Sequence, residues 1–290
     1  TVDKLSNATD SEIFKLWEGL GYYNRCRNLI ETARYISKEL KGNFPDSYEK
    51  IKSLKGIGPY TAAAISSFAF DLPYAVVDGN VFRVLARVFG INKPTDSTNG
   101  KAFFSELANE LLDKKRSAVY NQAIMDFGAL ICKAASPLCT ACVFNKKCIA
   151  YLDCKVNELP VKEKRISIRK RFFYYLVMEY KNRTVIRQRS EKDIWQQLYE
   201  FPLVEVDGLV GQNKILQQFE KKEWLHKKNY EIIAVSALLK QKLSHQLIYG
   251  QFIRVRLRQK PSLQKNWQWI FKKKLSSFPF PQLINQYLQY

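Results

Sequence analysis

The sequence predicts two domains of different class in one chain, an all-α domain followed by an α/β domain. Three observations predict it. The chain has 290 residues, more than one typical domain. Apolar side chains recur at helical spacing through the first 150 residues, and strand-like alternation replaces them past Arg171. Between the two, Lys155 to Arg171 carries seven basic residues against two acidic, with Pro160 inside, as a linker does. The expected boundaries are 1–154, 155–171 and 172–290.

Composition narrows the functional class. At 46% hydrophobic and 13% aromatic, the chain can bury a sizeable core. No apolar run reaches membrane-spanning length and no signal-peptide pattern opens the chain, so a cytoplasmic protein is expected. The net charge is +20, and residues 151–290 hold 27 basic side chains against 12 acidic. An excess of that size favours a polyanionic partner, most economically nucleic acid, although charge also serves plain solubility. The chain opens on Thr1 and not on an initiator, so it is read as a fragment lacking its amino-terminal part.

Taken in order, Thr9-x-x-Glu12 forms a capping box, and Ile13, Leu16, Trp17 and Leu20 keep helical spacing. Gly19-Leu20-Gly21-Tyr22-Tyr23-Asn24-Arg25 is a glycine-broken turn with two aromatics, Arg25 and then Arg27. An exposed aromatic beside basic residues suits stacking on bases or wedging between them; a tyrosine packed in the core suits the same residues equally. Leu29, Ala33, Ile36 and Leu40 continue on one helical face, which Gly42-Asn43-Phe44-Pro45 ends.

The stretch 54–87, LKGIGPYTAAAISSFAFDLPYAVVDGNVFRVLAR, reads as helix end, glycine hairpin, helix, break, helix. Gly56 and Gly58 bracket the turn, and Pro59 sits where a first helical residue belongs. Free N–H groups and the positive end of the helix dipole then face outward, a ready anion site. Asp78 stands at the mouth of the helix 81–89, where a plain N-cap is one reading. Phe104, Leu107, Ala108 and Leu111 mark a helix, and Ala123, Ile124, Phe127 and Ile131 another, within 101–131. Cys132, Cys139, Cys142 and Cys148 follow within 17 residues, a spacing that fits either structural zinc or an iron–sulfur cluster. Cys26 and Cys154 fall outside that pattern and are read as ordinary thiols.

Beyond the linker, FFYYLVMEY (172–180), a Lys181-Asn182-Arg183 turn and TVIRQR (184–189) predict a hairpin. A helix is expected near 214–223, with Ile215, Leu216 and Phe219 on one face, then strands at 232–238 and 247–257. In the last strand Ile253, Val255 and Leu257 alternate with Arg254, Arg256 and Arg258, one face apolar and the other a row of guanidinium groups. Whether that row meets DNA or solvent is open from sequence. The segment 279–290 reads as a short helix with Leu283, Ile284, Tyr287 and Leu288 apolar.

LKGIGPYTAAAI followed by VVDGNVFRVLAR resembles the helix-hairpin-helix and Gly/Pro…Asp region of the endonuclease III superfamily of DNA glycosylases, and within it the adenine DNA glycosylase (MutY) family. GLGYYNRCRNL, the C-x6-C-x2-C-x5-C spacing, IWQQLYEFP (194–202) and LSHQL (243–247) extend the resemblance over most of the chain. It implies a helix-hairpin-helix glycosylase domain with a 4Fe–4S loop at 132–148, and an α/β Nudix-like carboxy-terminal domain. By that match Gly56, Gly58, Tyr22 and Arg25 bind DNA, Tyr22 being the wedge in the duplex. Asp78, Tyr60 and Asn80 are catalytic, Ser244 and His245 read 8-oxoguanine, and the four clustered cysteines hold the cluster. Lys133, Lys146 and Lys147 give the cluster loop a phosphate-binding character. No glutamate-rich Nudix hydrolase motif is present, so recognition is expected in place of pyrophosphate chemistry. Relatives commonly have Gly-Gly where Gln196-Gln197 stand here, which puts the shape of that turn in question.

The resemblance implies a monomeric, monofunctional enzyme that hydrolyses the N-glycosidic bond of adenine mispaired with 8-oxoguanine or guanine in duplex DNA. Tyr60 occupies the place of the Schiff-base lysine of the lyase branch, and tyrosine cannot do that chemistry. The family's proton donor is a glutamate on a helix upstream of anything present here; Glu12 and Glu18 lie in the wrong motif. The 290 residues alone are therefore expected to be catalytically crippled. Two rival readings are an endonuclease III-like glycosylase/lyase, against which Tyr60 and the second domain argue, and a non-catalytic zinc-containing DNA-binding module.

Overall fold

In the computed structural model, which describes residues 1–163, 167–227 and 229–289, the elements run in the order the periodicity predicts, helices first. The helices are α1 (Val2–Asn7), α2 (Asp10–Leu16), α3 (Tyr23–Lys38), α4 (Tyr48–Lys52), α5 (Pro59–Phe70), α6 (Gly79–Val88), α7 (Thr98–Leu111), α8 (Ser117–Leu130) and α9 (Ile149–Leu152). Then come β1 (Arg169–Tyr180), β2 (Arg183–Gln188), β3 (Tyr199–Glu200), β4 (Leu203–Val206), α10 (Gln212–Lys221), β5 (Tyr230–Val235), β6 (Leu239–Lys242), β7 (Gln246–Leu257), β8 (Trp267–Phe271), a 3-10 turn (Lys272–Ser277) and α11 (Gln282–Leu288). Part of the basic linker, residues 164–166, lies outside the described residues.

Contacts divide the chain into two units, Tyr35–Arg165 and Thr1–Arg34 with Ile166–Tyr290. This differs from a division in simple chain order, because the first 34 residues pack on the sheet. Ile13, Phe14, Cys26 and Ile30 share one apolar cluster with Phe173, Tyr175, Phe252 and Leu283. Burial there pushes the Cys26 thiol up to about 11, so it is an inert core thiol.

The unit Tyr35–Arg165 is all helical. Its core joins Val81, Leu85 and Ala86 of α6 to Phe104 and Ala108 of α7, with Ala150 and Leu159. Both α5 and α6 pack against α8. At Gly128 of α8 an added Cβ would sit 2.7 Å from the Cβ of Asn80, so the absence of a side chain lets α8 approach the start of α6.

The other unit is built on a mixed eight-stranded sheet whose main path runs β3-β2-β1-β7-β5, with β4 on β1, β6 on β7 and β8 on β2. The β1–β2 hairpin pairs Glu179 with Thr184 as the alternation predicts, whereas β1 and β7 pair in parallel, Phe172 opposite Tyr249. Ile215, Leu216 and Phe219 of α10 bury one face against Leu176, Ile253 and Val255. The opposite face carries the cluster with Ile13 and Phe14. Leu16 and Leu20, expected on the buried face of their helix, are instead 86% and 63% exposed. Among the described residues, no helix is long and apolar enough to cross a membrane.

Candidate active site

The hairpin forms as expected, but its two glycines do different work. Gly56 adopts φ +76, which an L side chain resists. Gly58 is extended (φ −90, ψ 177), a conformation open to any residue, so the expectation that both need glycine holds for Gly56 alone. As N-cap of α5, Gly58 offers no side-chain acceptor, and Pro59 at the first position has no N–H. The next N–H groups of the first turn, on Tyr60 and Thr61, have no acceptor within the helix and stay available for an anion. The Tyr60 side chain stands on this turn, half exposed.

Asp78 caps α6 and is partly buried. Its Oδ1 accepts from the backbone N–H groups of Asn80 and Val81, both at 2.8 Å, and its Oδ2 accepts from Asn80 Nδ2 at 2.8 Å. Capping and orientation are one arrangement: the bonds that start the helix also fix the plane of the carboxylate. Among the described residues no hydrogen bond joins Tyr60 to Asp78 or Asn80; the helices that carry them, α5 and α6, both pack on α8.

Two arginines that sequence reasoning passed over tie α6 to the cysteine loop, and the first of them also holds Asn80. Arg83 donates to Asn80 Oδ1 (2.7 Å), to Gly128 O (2.6 Å) and, through Nε, to Cys132 O (2.6 Å). One turn on, buried Arg87 donates to Lys133 O (2.7 Å), Ala134 O (3.2 Å) and Leu159 O (3.0 Å), and its Nη1 lies 3.5 Å from Cys132 Sγ. A continuous chain of bonds therefore runs Asp78–Asn80–Arg83–Cys132. The available signal was the i, i+4 spacing of Arg83 and Arg87 on the helix that Asp78 opens.

Cys132, Cys139, Cys142 and Cys148 line one pocket with apolar walls from Phe127, Ile131, Leu138 and Phe144. All four are free thiols. Burial raises the Cys139 thiol, and Cys132 and Cys148 push it the same way, so the sulfurs feel one another. Among the described residues no three His, Cys, Asp or Glu side chains are set to hold a single metal ion. Four thiols around one apolar pocket are the donor chemistry a thiolate-held cluster requires.

In the other unit, Tyr22 and Ser244 come together. Tyr22 is 70% exposed with φ +50, and its hydroxyl lies 3.1 Å from Ser244 Oγ, either oxygen able to donate. The core reading of Tyr22 is thereby excluded. The Arg25 guanidinium sits 5.2 Å above the Tyr22 ring and 5.8 Å from that of Trp17. Ser244 and His245 occupy the exposed turn between β6 and β7, and His245 O accepts from Arg169 N (3.0 Å). The Gln196-Gln197 turn keeps a left-handed backbone without glycine, with Trp195 at φ +62 and Gln197 at φ +71. Glu12 closes the capping box on Thr9, and Glu18 holds Lys15 and the Phe280 N–H, so both carboxylates are structural.

Residues 1–108 match the HhH-GPD superfamily base excision DNA repair proteins, and residues 173–290 match the NUDIX domain. The adenine DNA glycosylase of Buchnera aphidicola subsp. Baizongia pistaciae is 36% identical over 255 residues, covering 86% of this chain and 68% of that protein. That of Buchnera aphidicola subsp. Acyrthosiphon pisum is 30% identical over 258 residues, covering 88% and 71%. The mouse adenine DNA glycosylase is 45% identical over 165 residues, covering 57% and 32%. Alignments that span the helical part, the linker and the sheet together leave one assignment: the chain belongs to the adenine DNA glycosylase family of base excision repair.

Proposed function

We propose that this glycosylase removes adenine from duplex DNA where it is mispaired with 8-oxoguanine or guanine, hydrolysing the N-glycosidic bond without cutting the strand. The observation that carries the reading is the Asp78 carboxylate at the start of α6, both of whose oxygens are held by N–H donors. Adenine must leave the helical stack before its glycosidic bond is accessible. As the bond breaks, the deoxyribose becomes oxocarbenium-like, and a fixed negative charge facing it stabilises that state. Asp78 supplies this charge, Asn80 keeps it aimed, and the first turn of α5 takes a phosphate near Tyr60. With tyrosine at position 60 no Schiff base forms, and the abasic strand stays intact.

Tyr22, backed by Arg25, wedges beside the opposite base, which Ser244 and His245 read. Cys132, Cys139, Cys142 and Cys148 would hold a 4Fe–4S cluster, whose contribution is to fix the loop carrying Lys133, Lys146 and Lys147 against phosphate. A cytoplasmic monomer is the form in which we place this activity.

Single-turnover adenine release from an A·8-oxoguanine duplex tests the proposal. Release that disappears in Asp78→Asn, with duplex affinity retained, supports it. A borohydride-trapped protein–DNA adduct would overturn it in favour of a lyase.

A further inference from the structure

Beside the Ser244–His245 turn, two rungs of side chains cross three strands on one face of the sheet. Register places Leu247 of β7 opposite Lys170 of β1 on one side and Lys242 of β6 on the other. Two residues along, Tyr249 is flanked in the same way by Phe172 and Lys240. Residues two apart on a strand share a face, so both rungs lie on the same side. The Phe172 and Tyr249 rings are stacked, with centroids 4.9 Å apart and planes at 8°, and Lys240 Nζ lies 5.5 Å from the Tyr249 centroid. Farther along this face, Tyr174, Leu176, Ile253 and Val255 are buried in the cluster under α10. The three lysines are exposed.

Among the described residues, the strands at these rungs set no acidic side chain beside the lysines. Neither β6 nor β7 contains an acidic residue. The acidic residues of β1 and β4 belong to the opposite face, where Glu205 takes two bonds from Arg171 (2.7 and 2.6 Å) and Glu179 pairs with Lys272 (2.6 Å). Lys242 is two residues before Ser244, and the backbone of Arg169, next to Lys170, is bonded to His245. The lysines are thus tied to the turn through its own strands.

We propose that Lys170, Lys240 and Lys242 form a ledge that grips the phosphodiester backbone of the strand whose base the Ser244–His245 turn reads. This rests on the reading of that turn given above. A lysine patch with a flat aromatic floor fits a polyanion running past the turn. It fixes where the recognised strand lies, while the turn supplies the choice of base. An acidic protein surface is the rival occupant.

The test compares the whole chain with a Lys170→Gln/Lys240→Gln/Lys242→Gln variant and a control, Lys181→Gln/Lys273→Gln/Lys274→Gln, which removes equal charge elsewhere in the same unit. Duplex affinity is measured against salt concentration for A·8-oxoguanine and undamaged DNA. Each lost phosphate contact reduces the log–log slope by about 0.9, so the ledge variant should be shallower by about 2 to 3 and the control nearly unchanged. An unchanged slope in the ledge variant, or an equal loss in the control, overturns the ledge and leaves an acidic protein as its occupant. A shallower ledge slope without wild-type preference for 8-oxoguanine sustains the ledge and overturns the reading of the turn. Failure of the wild type to bind any duplex overturns both.

Discussion

Replacing Arg83 with alanine should damage catalysis although Arg83 has no role at the sugar. Its guanidinium bridges Asn80 Oδ1 to the carbonyls of Gly128 and Cys132, at 2.6 to 2.7 Å. Without it, the Asn80 amide is held only by its bond to Asp78 Oδ2, so the partner that fixes the carboxylate's second oxygen is itself free to turn. A displacement of about 1 Å at a reacting group lowers rate roughly 100-fold, equivalent to about 2.7 kcal/mol. The assay is single-turnover adenine release from an A·8-oxoguanine duplex for Arg83→Ala, Asn80→Ala and the double variant. If Arg83 acts through Asn80, the double variant loses about as much as either single one, not the roughly 10,000-fold product of independent effects. Multiplicative losses, or an Arg83→Ala rate within threefold of wild type, would refute the relay. Melting temperatures of all three proteins separate this from loss of fold.

Further expectations concern the cap, the Gln turn, acid stability and the cysteines. Asp78→Asn should keep α6 intact, since asparagine caps as well as aspartate, and circular dichroism should match wild type while excision is lost. Gln197→Gly should raise stability by about 1 kcal/mol in urea unfolding, because it relieves φ +71 and removes a buried side-chain oxygen without a hydrogen-bond partner. Asp193 is lifted by burial, but the hydrogen bonds and charge of Arg171 outweigh this and hold its carboxyl below the usual 3.8. The folded state then binds fewer protons than the unfolded chain, so this stability is complete above about pH 4 and lost as pH falls through the depressed value. Asp193→Asn should flatten that acid limb in melting curves taken from about pH 5 to about pH 2.5. Reconstitution with iron and sulfide should give a brown protein absorbing near roughly 400 nm, and Cys139→Ser should abolish the colour.

Local patterns were legible in the sequence, and non-local partners were not. The helices of 101–131, the β1–β2 hairpin and the buried face of α10 follow from spacing alone, because each signal lies within one element. β6 escaped notice because Leu-Lys-Gln-Lys has one apolar residue and exists as a strand only through its ladder with β7. Leu16 and Leu20 mark the other limit: periodicity names a face but not whether anything covers it. The four cysteines stood out through spacing and the resemblance marked Asp78 for catalysis, whereas nothing in the sequence marked Arg83 and Arg87. The acceptors that tie them to the cysteine loop are carbonyls more than forty residues away in the chain.

The packing of residues 1–34 on the sheet changes what severing the chain can achieve. A protease nick in the basic linker would break one covalent connection, yet Ile13, Phe14 and Ile30 would still be buried against Phe173, Tyr175 and Phe252. The two pieces should co-elute after digestion and part only in denaturant. Expressed separately, each would present a bare hydrocarbon surface and tend to precipitate, so dissection at the linker would mistake insolubility for lack of function.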